Sequence, residues 1–435
     1  MKKITDISVF TDGAEEEWAQ ERRETVEYLL RRIDKELLTV VSMECLPGSQ
    51  QGDNYMSVIK RIRVRGTRQN CHGKTELNIS LIFKRQIASL QRRKLFRADE
   101  AFANEINAYT ELVPVLEDFS RNRLPFPQCL YAGTDAEGDL IVLEDLQCRD
   151  LYMVDRRKSL TFWQCRIIMR ELANFHAVSL AMKQIQPARF LNMKKKVREI
   201  VYNDEAAEFY THSLETSLRG ALDSLHYSNR DRSLDAPIKA VERLRGKLYT
   251  IMSSTVRNSA EPWNVLCHGD IWVNNLMFNE NKEQAKLIDL QAMRYTSLVI
   301  DIIHLLYTSA GAKVRLSHTD ELLQIYHEAL IKSLRMYVPI KEDAIFKKLE
   351  AIFSFESIQK EYYSRIKYGL GIAMWLLPAV TFHPDHIPDL DTVTMNDFKT
   401  KNHDKTIAQM LSPDYHSRML ETVLEFYKNG VLDSM

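Results

Sequence analysis

The chain has 435 residues, 45% of them hydrophobic and 27% charged, which is ordinary globular composition with enough length for a large core and more than one lobe, and excludes a disordered chain. Lys plus Arg equals Asp plus Glu at 59 each, so the charge balance argues for neither a nucleic-acid nor a membrane-surface partner, and none is expected. The longest apolar run, residues 368–382, is too short to span a bilayer and contains Gly369, Gly371 and Pro378, so it reads as a buried helix or a pocket wall.

In chain order, Lys2 and Lys3 are followed by Asp6, Asp12, Glu15, Glu16 and Glu17 instead of an apolar signal core, which predicts a cytoplasmic protein. Three strand-like segments come next, LLTVVSMECL, YMSVIKRIRV and TELNISLIF; the polar stretch RGTRQNCHGK between the last two reads as a loop. The segment GSQQGDN joins the first two strands. A turn bearing Gly48 and Gly52 can bring backbone N–H groups close to phosphate oxygens, or can be no more than a turn.

Lys84 ends the third strand directly after three apolar residues, so its ammonium points beneath the sheet, where a buried lysine needs a partner. Glu105 can supply one from the following helix, in which Phe102, Ile106, Tyr109 and Val113 recur at helical spacing until Pro114 interrupts it. Such a pair is equally at home as a plain structural contact. After Pro125 and Pro127 come two more strands, CLYAGTD and GDLIVLEDL, and from Leu146 onward the pattern is mostly helical. The expected fold class is therefore α+β, with a small antiparallel sheet-rich lobe over residues 1–145 and a large helical lobe over residues 146–435. The six cysteines show no Cys-x-x-Cys spacing, which predicts reduced, mostly buried thiols. The basic clusters around Arg93 and Lys195 read as solvated faces.

The most informative stretch is VLCHGDIWVNNLMF, which sets His268-Gly269-Asp270 and Asn274-Asn275 between apolar flanks. Each polar residue alone could belong to a turn. Together with Asp289, at the end of the apolar strand in KLIDLQ, they suggest more. Magnesium takes oxygen ligands, one or two of them from protein carboxylates or amides, and Asn275 and Asp289 suit that role. Asp270 is then free to orient an attacking hydroxyl and accept its proton.

The order of glycine turn, strand lysine, helix glutamate, VLEDL, HGDIWVNN and LIDLQ resembles the protein-kinase-like fold in its small-molecule branch, beside choline kinases and aminoglycoside phosphotransferases. The wording is most similar to the ecdysteroid kinase-like family. The resemblance implies a bilobal kinase that uses ATP and Mg²⁺ to phosphorylate a small-molecule alcohol. It also implies Asp270 as catalytic base, Asn275 and Asp289 as metal ligands, and Lys84, placed by Glu105, on the nucleotide phosphates. Gly48 and Gly52 would form the glycine turn, and the backbone of Glu144 and Leu146 would meet the adenine edge. Asp301, in SLVIDIIHLL, resembles the Asp that braces the catalytic loop in this branch, and His176 reads as a satisfied core histidine.

Two features depart from the family pattern: Leu290 stands where an aromatic residue is usual, and the turn lacks a full Gly-x-Gly-x-x-Gly. Gly269 before Asp270 speaks against a protein kinase. A non-catalytic ligand-binding pseudokinase would be expected to have lost Lys84, Asp270, Asn275 or Asp289, and all four are present. For the acceptor, Trp272 and the run YGLGIAMWLLPAVTF suit an apolar alcohol, such as an ecdysteroid, another steroid or a xenobiotic, better than the cations of choline-type or aminoglycoside-type kinases.

Overall fold

The computed structural model describes residues 26–28, 30, 37–48, 57–70, 73–87, 89–90, 93–94, 97–135, 138–382 and 411–435. Five strands, β1 (Leu37–Pro47), β2 (Ser57–Asn70), β3 (Gly73–Gln86), β4 (Cys129–Asp135) and β5 (Gly138–Glu144), form one antiparallel sheet in the order β1-β2-β3-β5-β4. β2 and β3 pair from Ser57↔Gln86 to Asn70↔Gly73, so most of the stretch expected to be a loop is strand. Neighbours on both sides satisfy the backbone of its β2 half, since Gln69 also pairs with Leu37 of β1. Of its polar residues, Arg65, Gln69 and Lys74 are exposed and Thr67 and Arg68 half-buried, so no apolar alternation is required there.

Side-chain alternation along β3 decides what the sheet covers. Leu81 and Phe83 join Ile62, Val64, Leu140 and Val142 in a cluster on one face. Ile82 and Lys84 therefore face the other way, toward the helix that follows. That helix runs over Ala98–Asn107, widens into a π turn over Ala108–Leu112 and continues as Val113–Ser120. Pro114 does not end it, contrary to the sequence expectation. A proline lacks the N–H and crowds the carbonyl four residues back, and the wider i→i+5 turn just before it accommodates both.

The remainder is largely helical, giving the α+β architecture of a small antiparallel sheet and a larger helical part. The long helix Phe162–Ile185 opens with a capping box: Gln164 N–H donates to Thr161 Oγ1 (3.2 Å) and Thr161 N–H to Gln164 Oε1 (2.9 Å). It packs along Ala312–Tyr337. The helix Val299–Thr308 is buried at every residue and lies against Lys367–Thr381. Two short ribbons interrupt the helices. β6 (Asn264–Cys267) pairs with β9 (Arg294–Ser297), and β7 (Leu276–Asn279) with β8 (Gln284–Leu287). Residues 268–275 and 288–293 are the links between them, tied together by Ile288 N–H donating to the Asn275 carbonyl (2.9 Å).

Among the described residues no helix is long and apolar enough to cross a membrane. The five described cysteines are all free thiols, and Cys71 lies outside the described residues. Only Cys165 and Cys267 are buried, which corrects the expectation of mostly buried thiols: Cys148 is exposed in the turn Leu146–Arg149, and Cys45 and Cys129 are half-buried in sheet strands.

Candidate active site

Lys84 Nζ lies 2.6 Å from Glu105 Oε2 and 2.9 Å from Asp289 Oδ1, with lysine and glutamate both buried. Burial works against the ammonium, but the charges of Asp289 and Glu105 outweigh it and hold Lys84 above its ordinary pKa. The glutamate helix is fastened to the segment after Asp289 by Asn104, whose Nδ2 donates to the Gln291 carbonyl at 2.8 Å and the Met293 carbonyl at 3.3 Å. Leu290, the departure from the family pattern, is fully buried in the main core.

Removing one partner of a buried ion pair leaves the other charge uncompensated. Lys84→Met, which strands two carboxylates, is therefore expected to destabilise more than Glu105→Gln, which leaves Lys84 its contact with Asp289. In chemical denaturation the double variant should lose less than the sum of the singles, with a coupling of about 1–3 kcal/mol. Additive losses would contradict the pairing.

The segment after β6 is held from below by Asp301, which accepts from the N–H groups of His268 (2.7 Å) and Gly269 (2.9 Å). His176 lies beside the same carboxylate at 3.3 Å and hydrogen-bonds Tyr326 Oη at 2.8 Å, so it is a satisfied core histidine. Burial opposes the Asp301 charge, yet His176 and the Gly269 N–H keep its pKa below the ordinary carboxylate value. The same arrangement explains Gly269. Its φ is +84°, and a Cβ there would lie inside the van der Waals shell of the Ala292 carbonyl oxygen and 3.0 Å from Arg294 Nε.

Asp270 emerges from this brace with its carboxylate side chain 22% exposed. Asn275 Nδ2 donates to both the carbonyl and Oδ2 of Asp270, at 2.9 Å each. The amide oxygen of Asn275 is thereby turned to the other side. Burial, then the charge of Asp289, pushes the Asp270 carboxyl up to about 7. Asp289 takes a left-handed φ of 68° and keeps a side chain 20% exposed. Asn275 and Asp289 would offer an amide oxygen and a carboxylate, the hard oxygen ligands Mg²⁺ prefers, and a cation there would relieve the charge that Asp289 exerts on Asp270.

The other expected positions are less uniform. Gly48 follows β1, and its N–H donates to the Ile59 carbonyl (3.0 Å), so that group is engaged within the sheet and does not face a phosphate. Gly52 lies outside the described residues. At the end of β5 the Glu144 N–H donates to the Gln128 carbonyl (2.9 Å), and the Leu146 carbonyl accepts from Leu151 (3.2 Å). The groups these two residues can offer a flat base are thus the Glu144 carbonyl and the Leu146 N–H. Leu146, Leu151 and Met277, with Ile288 against them, form a small apolar cluster of their own beside this edge.

Several residues of the site escape sequence reasoning. Asp145 fixes the crossing segment to the sheet by accepting from Arg61 Nε (2.7 Å) and Ser80 Oγ (2.6 Å). His304, three residues after Asp301 in an otherwise apolar helix, is 3.5 Å from Asp270 Oδ1 through Nε2, while Nδ1 meets the Tyr368 hydroxyl at 3.2 Å. Burial pushes this imidazole down to about 3, so it is neutral. Arg294 is buried beside Gly269. His304 carries a faint signal, one helical turn after Asp301, and Arg294, in AMRYTS, carries none.

Of the expected acceptor walls, Trp272 is buried in the main core. Residues 368–381 lie within the helix Lys367–Thr381, buried except around Trp375, Leu376, Pro378 and Ala379. Trp375 is half-buried, edge-on to Tyr210 with centroids 5.2 Å apart.

Among solved structures the chain is similar to a choline kinase from Cryptosporidium parvum, with 12% identity, 94% of this chain and 98% of that chain covered, and a TM-score of 0.44. It is also similar to an ethanolamine kinase from Plasmodium vivax (10%, 89% and 85%, TM-score 0.38). A GDP complex of an aminoglycoside 2'-phosphotransferase gives 12%, 94% and 98%, with a TM-score of 0.41. No curated protein matches the chain. The profile of the ecdysteroid kinase-like family matches residues 51–338, well over half of the sequence and inclusive of Lys84, Glu105, Asp270, Asn275 and Asp289. The chain belongs to the ecdysteroid kinase-like family.

Proposed function

We propose that this protein is an ATP- and Mg²⁺-dependent small-molecule kinase that transfers the γ-phosphoryl group to a hydroxyl of an apolar alcohol, with an ecdysteroid or a related steroid or xenobiotic as the leading acceptor. The observation that carries the reading is the meeting of Lys84, Glu105 and Asp289 within 2.9 Å, next to Asp270 and its Asn275 clamp. These residues come from four separate stretches of the chain. A purely structural ion pair has no need of the second acid and the amide.

In this reading residues 1–145 form the N-lobe and residues 146–435 the C-lobe, in a cytoplasmic enzyme. Lys84 binds the nucleotide phosphates, and Glu105 sets its position. The Glu144 carbonyl and the Leu146 N–H meet the adenine edge, with Met277 and Ile288 as an apolar floor. Asn275 and Asp289 hold Mg²⁺, which when bound offsets the negative charge of the phosphates. Asp270 aligns the acceptor hydroxyl with the γ-phosphorus and takes its proton as the new O–P bond forms and the bond from that phosphorus to the departing ADP breaks. Asp301 keeps the loop carrying Asp270 at a fixed height.

The test is ADP release by the purified protein with Mg-ATP against steroids, other apolar alcohols, choline and aminoglycosides. Release that depends on an apolar alcohol supports the reading. Release with choline or aminoglycosides alone moves the acceptor class, and no alcohol-dependent release with any acceptor contradicts the kinase.

The wall can be probed at Trp375. Trp375→Asp places an unpaired charge in an apolar setting, which is costly. If the residue lines the acceptor site, alcohol-dependent turnover should fall about tenfold or more while the melting temperature and alcohol-independent ATP hydrolysis hold. A collapse of the melting temperature would instead identify it as core.

A further inference from the structure

His304 sits on the helix Val299–Thr308, every residue of which is buried, and is itself 2% exposed. Its Nδ1 meets the Tyr368 hydroxyl at 3.2 Å, whereas Nε2 is buried without a hydrogen-bond partner among the described residues. Oδ1 of Asp270 lies 3.5 Å from that nitrogen, at the outer limit of hydrogen-bond reach. A polar group left unpaired in the interior is costly, so a nitrogen placed like this calls for an explanation.

Burial keeps the imidazole neutral, so it carries a single N–H. With the proton on Nδ1, the bare lone pair of Nε2 would face a carboxylate oxygen, and the two would repel. With the proton on Nε2, the Tyr368 hydroxyl donates to Nδ1, and the donor next to Oδ1 of Asp270 is the Nε2–H. A carboxylate has about four lone-pair sites. Asn275 Nδ2 occupies one of them on Oδ2, at 2.9 Å, and the Trp272 side chain is a further donor toward the group. Donors on both oxygens fix the turn of the carboxylate about its Cβ–Cγ bond, and so decide which lone pair is left for a hydroxyl. The imidazole is tied to Tyr368 and its helix is packed against Lys367–Thr381, while the Asp270 side chain is 22% exposed, so the carboxylate is the partner that moves. Catalytic hydrogen bonds are often long before substrate binds and shorten in the complex.

We propose that His304 is a positioning residue for the phosphoryl transfer: its Nε2–H closes onto Oδ1 of Asp270 in the substrate complex and, opposite the Asn275 clamp on Oδ2, holds the carboxylate in the orientation that leaves a lone pair toward the acceptor hydroxyl. His304 makes no bond to substrate and works through Asp270, with Tyr368 fixing its tautomer. The inference rests on the kinase reading above and adds a residue to it.

The experiment compares His304→Asn with His304→Gln. An asparagine amide reaches the place of Nδ1 and can still meet Tyr368, whereas a glutamine amide reaches the place of Nε2 and can still donate to Asp270. In alcohol-dependent turnover with Mg-ATP, His304→Asn should lower kcat about tenfold with KM for ATP and for the alcohol within about twofold of native, and His304→Gln should recover most of that loss. In the Asp270→Asn background His304→Asn should subtract little further, since its effect passes through the carboxylate. Equal losses in the two variants, or the same fold-loss with and without the Asp270 carboxylate, would mark His304 as a packing residue and overturn the proposal. A second readout needs no turnover. NMR of the native protein with isotope-labelled histidine should show His304, identified by the signals that either variant lacks, as the neutral tautomer with its proton on Nε2, and those signals should shift in Asp270→Asn. A proton on Nδ1 would overturn the proposal. If the tautomer is as expected but no alcohol is phosphorylated, it is the kinase reading that fails, and the positioning role falls with it.

Discussion

Asp270→Asn is expected to lower turnover by at least ~10²-fold while ATP binding persists. The substitution keeps the shape that Asn275 Nδ2 grips at 2.9 Å and removes the oxygen pair that can take a proton. Lys84, Glu105 and the Glu144–Leu146 edge are untouched, so calorimetric ATP affinity should stay within a few-fold of the native value. Because the carboxylate accepts the proton only as the phosphoryl group moves, the loss should appear in kcat and not in KM for ATP. Unchanged turnover would remove Asp270 from the chemistry, and loss of both binding and turnover would point to a structural part for it.

The second large effect is expected at Gly269. Gly269→Ala requires an L-residue to hold φ near +84°, at a cost of about 1–2 kcal/mol. The new Cβ would also run into the carbonyl oxygen of Ala292, which is backbone and cannot swing aside. The loop must then lift away from Asp301, breaking one or both of its 2.7 and 2.9 Å hydrogen bonds. We expect a stability loss of about 2 kcal/mol or more, and a fall in turnover of roughly 10²-fold, because a displacement near 1 Å at the reacting group suffices for that. Denaturant melts and kcat measured together check both parts. A variant with native stability and native kcat would show that the loop does not depend on this close approach.

What could be read in advance was local chemistry in an ordered series. The strand alternation that turns Leu81 and Phe83 one way and Lys84 the other is written in TELNISLIFK, and helical spacing sets Glu105 opposite it. The actual 2.6 Å contact follows from those two periodicities. The contact of Lys84 with Asp289 does not, because it joins residues 205 positions apart and depends on how sheet and helices meet. Arg294 and His304 were missed for the same reason: their meaning lies in neighbours through space, and neither stands in a recognisable motif. The misread stretch between β2 and β3 shows another limit. Hydrophobic alternation reports burial, and a strand that extends past the core keeps its ladder without it. Pro114 failed as a stop signal because a π turn absorbed it. The Gly48 N–H, offered as a phosphate donor, had already found the Ile59 carbonyl.

The central claim is phosphoryl transfer to an alcohol, and the most direct test is mass spectrometry of the acceptor after incubation of the purified protein with Mg-ATP and a steroid alcohol panel. The account predicts an acceptor heavier by one phosphoryl group, formed in step with ADP by the native protein and nearly absent with Asp270→Asn. ATP consumed with every alcohol recovered unmodified, or an equal yield of phosphate ester from Asp270→Asn, would contradict it.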